Sequence, residues 1–177
     1  MPAIERAFTE PVPAEIYVDT DLLIAFVTRS DPHYQRARTL FRRLAETGTV
    51  LYLSSLSWIE FAHVVSRERF RQRLTAAERR QYGLDRWESS ETRQAYLGAL
   101  SGAVQGMLDY FRWEEIPLNT DVRVLALDYM ARYALGRHDA AHLASATYAQ
   151  VSDLASFDEA FRRVDGLALW NDGIYAA

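Results

Sequence analysis

Short apolar runs alternate with helical segments along most of this chain, and that alternation limits the fold more than any other feature. Runs of this length, rich in apolar and β-branched residues, are typical of strands. Strands of a parallel sheet covered on both faces are apolar almost throughout. The pattern therefore predicts an α/β protein, a three-layer α/β/α sandwich around a central, mainly parallel five-stranded sheet. The expected strands lie at residues 16–20, 50–54, 113–118, 153–157 and 167–170.

The segments between these strands carry helix signals. Asn119 and Gly136 predict the start and the end of one helix, and Gly48 predicts the C-cap of another. Ser57 and Glu60 match a capping box that opens a long helix. Helices are expected at residues 22–27, 33–48, 57–73, 120–133 and 138–150, with a short one after the fourth strand.

A chain of 177 residues fits one domain with a full hydrophobic core. We expect that domain to span residues 1–177, with an irregular lead-in at 1–15 and a helical excursion at 75–110. No secretory signal pattern opens the sequence, and no apolar run reaches the roughly 18 residues of a membrane span. The expected location is the cytoplasm, without membrane contact.

Two residue types are missing, and their absence excludes several mechanisms. All twenty basic residues are arginine, so P-loop, Schiff-base and other lysine-dependent chemistry is excluded. Cysteine is absent too, which excludes disulfides, thiolate zinc sites and cysteine nucleophiles. The formal net charge of -4 gives no general attraction to a polyanion, so a nucleic-acid ligand requires a local basic patch.

Four acidic residues fall where the predicted sheet would bring them together. Asp19 ends the first strand, and Asp158 follows the fourth. Glu60 lies early in the helix after the second strand, and Asp139 opens the helix before the fourth. Sites in open parallel sheets form outside the carboxyl ends of the strands. Clustered carboxylates repel one another unless a cation neutralises them, and their oxygens suit Mg²⁺ or Mn²⁺. The sequence therefore predicts metal-assisted hydrolysis, with Asp21 close enough to assist.

Each of these acids also has a structural interpretation. Asp19 and Asp158 could each cap the helix that follows. Glu60 is the N3 residue of the predicted capping box, and Asp139 at a helix start suits the helix dipole. Asp19 is the hardest to explain in this way, because Asp21 follows it two residues later at the end of an apolar strand.

Taken in order, four segments resemble the PIN domain family, and most closely its VapC-type toxins. VDTDLLI at 18–24 matches a strand that ends in Asp-Thr before an apolar helix. SWIEF at 57–61 matches an early helical Glu, and residues 139–146 match Asp-Ala-x-His-Leu-Ala-x-Ala. SFDEAF at 156–161 matches Thr-x-Asp-x-x-Phe. The resemblance covers about residues 16–171.

The resemblance implies endonucleolytic cleavage of RNA by Mg²⁺ or Mn²⁺. The metal ligands and catalytic residues it implies are Asp19, Glu60, Asp139 and Asp158. The implied partners are a small antitoxin protein, which blocks the acidic cleft, and a second copy of the chain in a homodimer. Asp21 stands where the family usually has Asn or Ser, and Ser156 replaces the usual Thr. We expect both to support the site.

Arginines cluster on and after the predicted helix at 57–73. Arg67 and Arg71 are the expected contacts with RNA or with an acidic antitoxin segment, because phosphate contacts dominate nucleic-acid affinity. The alternative is a solvated helix face on which Glu68 and Glu78 pair with the arginines.

Other interpretations stay open at this point. His142, three residues after Asp139, is interpreted mainly as a packed or capping residue, with support of the acids as the alternative. A housekeeping RNA-processing nuclease and a non-catalytic PIN-like binding module are the alternative functions. Asp19 and Asp21 also resemble the Asp-x-Asp motif of haloacid-dehalogenase phosphatases. The Leu at position 23, where that motif has Thr, and the missing lysine argue against that family.

Overall fold

The computed structural model describes residues 2–73, 75, 106 and 108–173, with the backbone alone for 68–73. Its strands are β1 (Ile4–Arg6), β2 (Glu15–Val18), β3 (Val50–Ser54), β4 (Arg112–Ile116), β5 (Asp153–Ala155) and β6 (Ala168–Trp170). Its α-helices are α1 (Thr20–Val27), α2 (Tyr34–Thr47), α3 (Ser55–Arg73), α4 (Thr120–Tyr133) and α5 (Arg137–Tyr148). A short 3-10 helix, Glu159–Arg163, follows β5.

The strands form one sheet in the order β1-β6-β5-β2-β3-β4, and each neighbouring pair is parallel. The predicted α/β sandwich with a parallel central sheet is confirmed, but the predicted number of five strands is wrong. The sixth strand, β1, lies inside the segment 1–15 that was predicted to be irregular. Three residues are too few to show a strand period, and β1 is held by its pairing with β6.

Strand β2 is buried on both faces, and its side chains alternate between two cores. Ile16 and Val18 belong to the core that includes buried residues of α1, α2 and α3. Tyr17 belongs to the opposite core, with Ala140 and Leu143 of α5. Each fully buried side chain of this size contributes roughly 1.5–3 kcal/mol of transfer free energy. Asp19, which directly follows the end of β2, is therefore attached to a well-packed strand.

Two of the predicted helix boundaries are confirmed. Gly48 ends α2 with a φ of 67°, a left-handed conformation that glycine adopts without a Cβ clash. Asn119 caps α4, because its side-chain oxygen accepts a hydrogen bond from the backbone N–H of Val122 at 3.0 Å.

The predicted capping box of α3 is wrong. The helix begins at Ser55, two residues earlier than expected. Ser54 supplies the hydroxyl that accepts the Leu56 N–H, at 3.0 Å. The Ser57 hydroxyl is buried and has no hydrogen-bond partner among the described residues. Glu60 is therefore free of the capping role that was its structural interpretation.

The turn between α4 and α5 also differs from the prediction. Ala134, with a φ of 52°, is the left-handed residue that ends α4. Gly136, which was predicted to end α4, is instead the N-cap of α5. The predicted excursion at 75–110 falls almost wholly outside the described residues. Within the described ranges, none of the helices has both the length and the apolar character needed to cross a membrane.

Candidate active site

One cleft lies at the carboxyl ends of three adjacent strands, β5, β2 and β3. Residues that follow parallel strands lie at the same edge of the sheet. The cleft has a volume of about 470 Å³, and the start of α5 contributes to its wall. It is lined by all four predicted acids, Asp19, Glu60, Asp139 and Asp158. Asp21 lines it as well. The structure thus brings the predicted carboxylates to one place.

Asp19 is the N-cap of α1 and is only 6% exposed. Its Oδ1 accepts a hydrogen bond from the Thr20 backbone N–H at 2.6 Å and lies 3.2 Å from Nε2 of His142. Its Oδ2 accepts a hydrogen bond from the Ser156 hydroxyl at 2.7 Å. These contacts hold the carboxylate in one orientation at the floor of the cleft, so capping of α1 and a role in the cleft are compatible.

Asp21 is held by the chain that follows β5. Its Oδ2 accepts hydrogen bonds from the Phe157 backbone N–H at 2.7 Å and from the Ser156 hydroxyl at 3.1 Å. Its Oδ1 is buried without a hydrogen-bond partner among the described residues. Burial and the neighbouring charge of Asp19 raise the pKa of Asp21 well above its ordinary value. Such an oxygen is costly to leave unpaired, which favours a proton or a cation beside it.

Glu60 projects from α3 toward His142 of α5. Its Oε2 lies 3.0 Å from Nε2 of His142 and accepts a hydrogen bond from the Thr20 hydroxyl at 2.8 Å. Its Oε1 lies 2.6 Å from Nδ1 of the half-exposed His138. Burial by itself would raise the pKa of Glu60, but the bonds to His142 and Thr20 and the charges of the two histidines leave it below its ordinary value.

His142 is 1% exposed and joins the two acids to the sheet. Its Nε2 contacts both Asp19 and Glu60, and its Nδ1 lies 2.8 Å from the hydroxyl of Tyr17. Burial by itself would lower the pKa of His142, but the charge of Asp19 and the partners Tyr17 and Glu60 outweigh burial. The pKa of His142 is therefore well above its ordinary value. The raised pKa favours the protonated ring, whose positive charge between two carboxylates would reduce their mutual repulsion.

Asp139 lies in the first turn of α5, and its carboxylate lies beside Gly136. Burial, then the charges of Asp158 and Asp19, raise its pKa above the ordinary value. A Cβ at Gly136 would lie 2.8 Å from Oδ2 of Asp139, closer than real Cβ contacts. Glycine at the N-cap therefore leaves the space that this carboxylate occupies.

Asp158 is the N-cap of the 3-10 helix, as its structural interpretation predicted. Its Oδ1 accepts the Ala160 backbone N–H at 2.7 Å, and its own N–H donates to the Ser156 hydroxyl at 2.9 Å. The Ser156 hydroxyl therefore contacts the carboxylates of Asp19 and Asp21 and the backbone N–H of Asp158. Because Asp158 also acts on the pKa of Asp139, the two carboxylates share one electrostatic environment.

The residues fit a divalent cation by the chemistry of their donors. As the described side chains are placed, no three acids or histidines converge as ligands of one ion. Mg²⁺ does not require three, because it keeps several waters and takes one or two carboxylates. Among the described residues, Oδ1 of Asp21 has no hydrogen-bond partner, and burial together with neighbouring carboxylates raises the pKa values of Asp21 and Asp139. A hard cation with oxygen ligands would offset both effects.

Sequence reasoning missed part of this arrangement. His138 and Thr20 were not expected to contact Glu60, and His142 was interpreted mainly as a packed residue. The i, i+3 spacing of Asp139 and His142 was the available signal for the latter. His138 and Thr20 gave no such signal, because their contacts depend on how α5 and α1 pack across the cleft. Of the two predicted arginine contacts, Arg67 lines a neighbouring pocket, whereas the side chain of Arg71 lies outside the described atoms.

The sequence matches a protein-family model. The model of the PIN domain matches residues 16–167, which is most of the chain. The chain belongs to the PIN domain family. The cleft of this PIN domain lies wholly within the matched residues. A comparison of the sequence with curated proteins gave no match.

Solved structures with the same fold are distant in sequence from this PIN domain. FitAcB from Neisseria gonorrhoeae has a TM-score of 0.58 at 16% identity, over 90% of this chain and 99% of that one. VapC20 from Mycobacterium tuberculosis, a toxin that cleaves the sarcin-ricin loop, has a TM-score of 0.51 at 18% identity, over 82% and 92%. VapBC2 from Rickettsia felis, bound to a promoter DNA fragment, has a TM-score of 0.50 at 15% identity, over 88% and 96%. At these identities the likeness shows the fold.

Proposed function

We propose that this PIN domain is a divalent-metal-dependent endoribonuclease and the toxin of a toxin–antitoxin pair. One observation carries the nuclease part of the proposal: the acids that follow three adjacent strands, together with Asp139 of α5, line a single cleft. The raised pKa values of Asp21 and Asp139 support it further, because perturbed carboxylates that share a cleft are typical of functional sites.

The chain's own nucleophiles give little support to covalent catalysis. The sequence contains neither cysteine nor lysine. The Ser156 hydroxyl is fully buried and donates to a carboxylate, and the Thr20 hydroxyl donates to Glu60. Hydrolysis by an activated water is therefore the chemistry that the cleft supports best.

Asp19 and Asp139 are proposed as the central metal ligands, with Glu60 and Asp158 completing the set and Asp21 and Ser156 in support. Bound Mg²⁺ or Mn²⁺ would polarise the phosphoryl oxygens and lower the pKa of an attacking water. Ser156 and His142 would hold Asp19 in its orientation. The bonds from Thr20 and His142 would keep Glu60 ionised near neutral pH, as its lowered pKa indicates.

The substrate and the partners are proposed from the similar structures. VapC20 is a toxin that cleaves the sarcin-ricin loop, and VapBC2 is bound to a DNA fragment from its promoter. By similarity, we propose that this chain acts on RNA, that a small antitoxin covers its acidic cleft, and that it forms a homodimer. A small upstream gene for a DNA-binding protein would favour the toxin over the housekeeping nuclease.

The test is cleavage of a mixed RNA pool by the wild-type chain with Mn²⁺, with Mg²⁺ and with EDTA. Asp19→Asn preserves the shape of the side chain and removes its charge, whereas Asp128→Asn makes the same change on the exposed face of α4. We expect metal-dependent cutting by the wild type and by Asp128→Asn, and a loss of at least about 100-fold in Asp19→Asn. Equal cutting by Asp19→Asn, or an inert wild type in every metal, would overturn the proposal.

A further inference from the structure

A second pocket adjoins the acidic cleft. Ile24 of α1 and Val64 of α3 line both of them, so the two are neighbours across that pair of side chains. The second pocket has a volume of about 390 Å³, and its other walls include Thr28, Ser30 and Arg67. The second pocket therefore lies directly beside the acidic cleft, between residues of α1 and α3.

The face of α3 that carries Glu60 also carries Arg67. Glu60, Val64 and Arg67 are spaced i, i+4 and i+7, which places them along one side of the helix. At 1.5 Å per residue, Arg67 lies about 10 Å from Glu60 along the helix axis. A group bound to Arg67 is therefore beyond the acidic cluster but on the same side of the helix.

Arg67 has no charged partner among the residues that the structure describes. Its Nε is buried and makes no hydrogen bond to the described residues, and none of the described ion pairs involves it. Asp31 is the acid that lines this pocket, and it accepts the backbone N–H of His33 at 2.8 Å. A guanidinium always carries its charge, and a partly buried one is stabilised by an anion that its donors can reach.

We infer that Arg67, with the hydroxyls of Thr28 and Ser30, forms a subsite for a phosphate of the RNA strand next to the scissile phosphate. The inference rests on the proposed function. RNA fits better than an acidic peptide, because this pocket adjoins the cleft in which the scissile phosphate lies. The cleft itself is lined by acids, which repel the phosphates of RNA. A cationic side chain beside the cleft attracts them. Arginine is suited to phosphate oxygens because its planar fork can donate two parallel hydrogen bonds.

The test is RNA affinity as a function of salt. Binding of a labelled oligouridylate is measured by fluorescence anisotropy in an Asp139→Asn background, which prevents cleavage during the measurement. Adding Arg67→Gln should weaken binding about tenfold, as for a lost charge-assisted hydrogen bond. It should also reduce the slope of log affinity against log salt by about 0.7, the value for one phosphate contact on a single strand.

Two matched variants separate this subsite from a general effect of charge. Arg67→Lys keeps the charge and should keep most of the salt slope. Arg112→Gln removes the same charge from the first residue of β4, at the amino ends of the strands and away from the cleft at their carboxyl ends, and should change neither quantity. Unchanged affinity and salt slope in Arg67→Gln would overturn the subsite. If the Asp139→Asn background chain still binds RNA in that case, the proposed function is not contradicted.

The same series can reveal an acidic peptide as the natural occupant of the pocket. If Arg67→Gln loses affinity for poly-glutamate but not for the oligouridylate, the subsite is a peptide site and the inference is wrong. If the wild-type chain neither binds nor cuts any RNA, the proposed function fails and the inference fails with it.

Discussion

At the scale of single residues, His142 determines how the acids can lie together. It contacts Asp19 and Glu60 through one ring nitrogen and Tyr17 through the other, almost without exposure to solvent. These three partners hold the buried ring in place, so it both packs and lies between the two carboxylates. The two interpretations that the sequence left open for His142 are therefore compatible.

Replacing His142 by Gln removes the cation and leaves Asp19 and Glu60 without their shared partner. We expect the metal-free protein to lose about 3 kcal/mol of unfolding free energy, the lower end of the range for breaking a buried ion pair. Urea denaturation in EDTA measures it. His63→Gln, at an exposed histidine of α3, is the control and should change stability by less than about 0.5 kcal/mol. Equal stability of the two variants would show that His142 is not a paired cation.

Gly136 has a role that depends on the position of Asp139. Its φ of -61° suits alanine, but the added Cβ would meet Oδ2 of Asp139 at 2.8 Å. We expect Gly136→Ala to keep the unfolding free energy within about 1 kcal/mol and to lower both Mn²⁺ affinity and cleavage by about tenfold through the displaced carboxylate.

A double-mutant cycle tests whether Gly136→Ala acts by displacing the Asp139 carboxylate. In an Asp139→Asn background, the effect of Gly136→Ala on Mn²⁺ affinity should largely disappear, because the group it displaces is no longer a charged ligand. Gly106→Ala, where an added Cβ meets nothing within 4 Å, is the matched control. Additive effects of Gly136→Ala and Asp139→Asn would contradict the account.

At the scale of elements, the strands that position the site could be predicted, and the boundaries around them could not. The runs that became β2, β3 and β5 are apolar because both faces are buried, so composition alone marks them. The start of α3 could not be read, because Ser54, Ser55 and Ser57 all resemble caps and the packing of α3 decides among them. The end of α4 at Ala134 is a non-glycine left-handed residue, which sequence gives no reason to expect.

The cap of α4 offers a test at this scale. Asn119→Ala removes the side-chain acceptor of the Val122 N–H and should cost about 1 kcal/mol of unfolding free energy, with RNA cleavage unchanged. Asn119→Asp keeps an oxygen acceptor and should restore most of that loss. Thermal or chemical denaturation distinguishes the two. A loss of cleavage in the folded Asn119→Ala protein would mean that α4 contributes to the site directly.

At the scale of the whole molecule, we expect the acidic cleft to make stability depend on pH and on divalent metal. Asp21 and Asp139 have folded-state pKa values above their ordinary 3.8, and His142 has one above 6.5. A raised folded-state pKa gives stability that is full below the ordinary value and is lost as pH rises through the folded one. Glu60, with its lowered pKa, acts in the opposite direction, and only below its ordinary value of 4.5.

We therefore expect the metal-free protein to become less stable as pH rises from about 5 to about 8. The raised carboxyls of Asp21 and Asp139 act upward from their ordinary value of 3.8, and His142 adds its effect only above 6.5. Mg²⁺ should raise the melting temperature more at the upper end of that range, where the carboxylates are ionised. Scanning fluorimetry in EDTA and in Mg²⁺ measures both trends, and Asp139→Asn should flatten them. Stability that increases with pH in EDTA would be incompatible with this charge balance.

The central claim is that these carboxylates hold a divalent metal, and direct Mn²⁺ binding tests it most closely. Electron paramagnetic resonance follows the loss of the free Mn²⁺ signal as protein is added. We predict binding by the wild type, a loss of at least about tenfold in affinity in Asp19→Asn and in Asp139→Asn, and no change in Asp128→Asn. Wild-type affinity in both cleft variants, or no Mn²⁺ binding by the folded wild-type chain, would contradict the account.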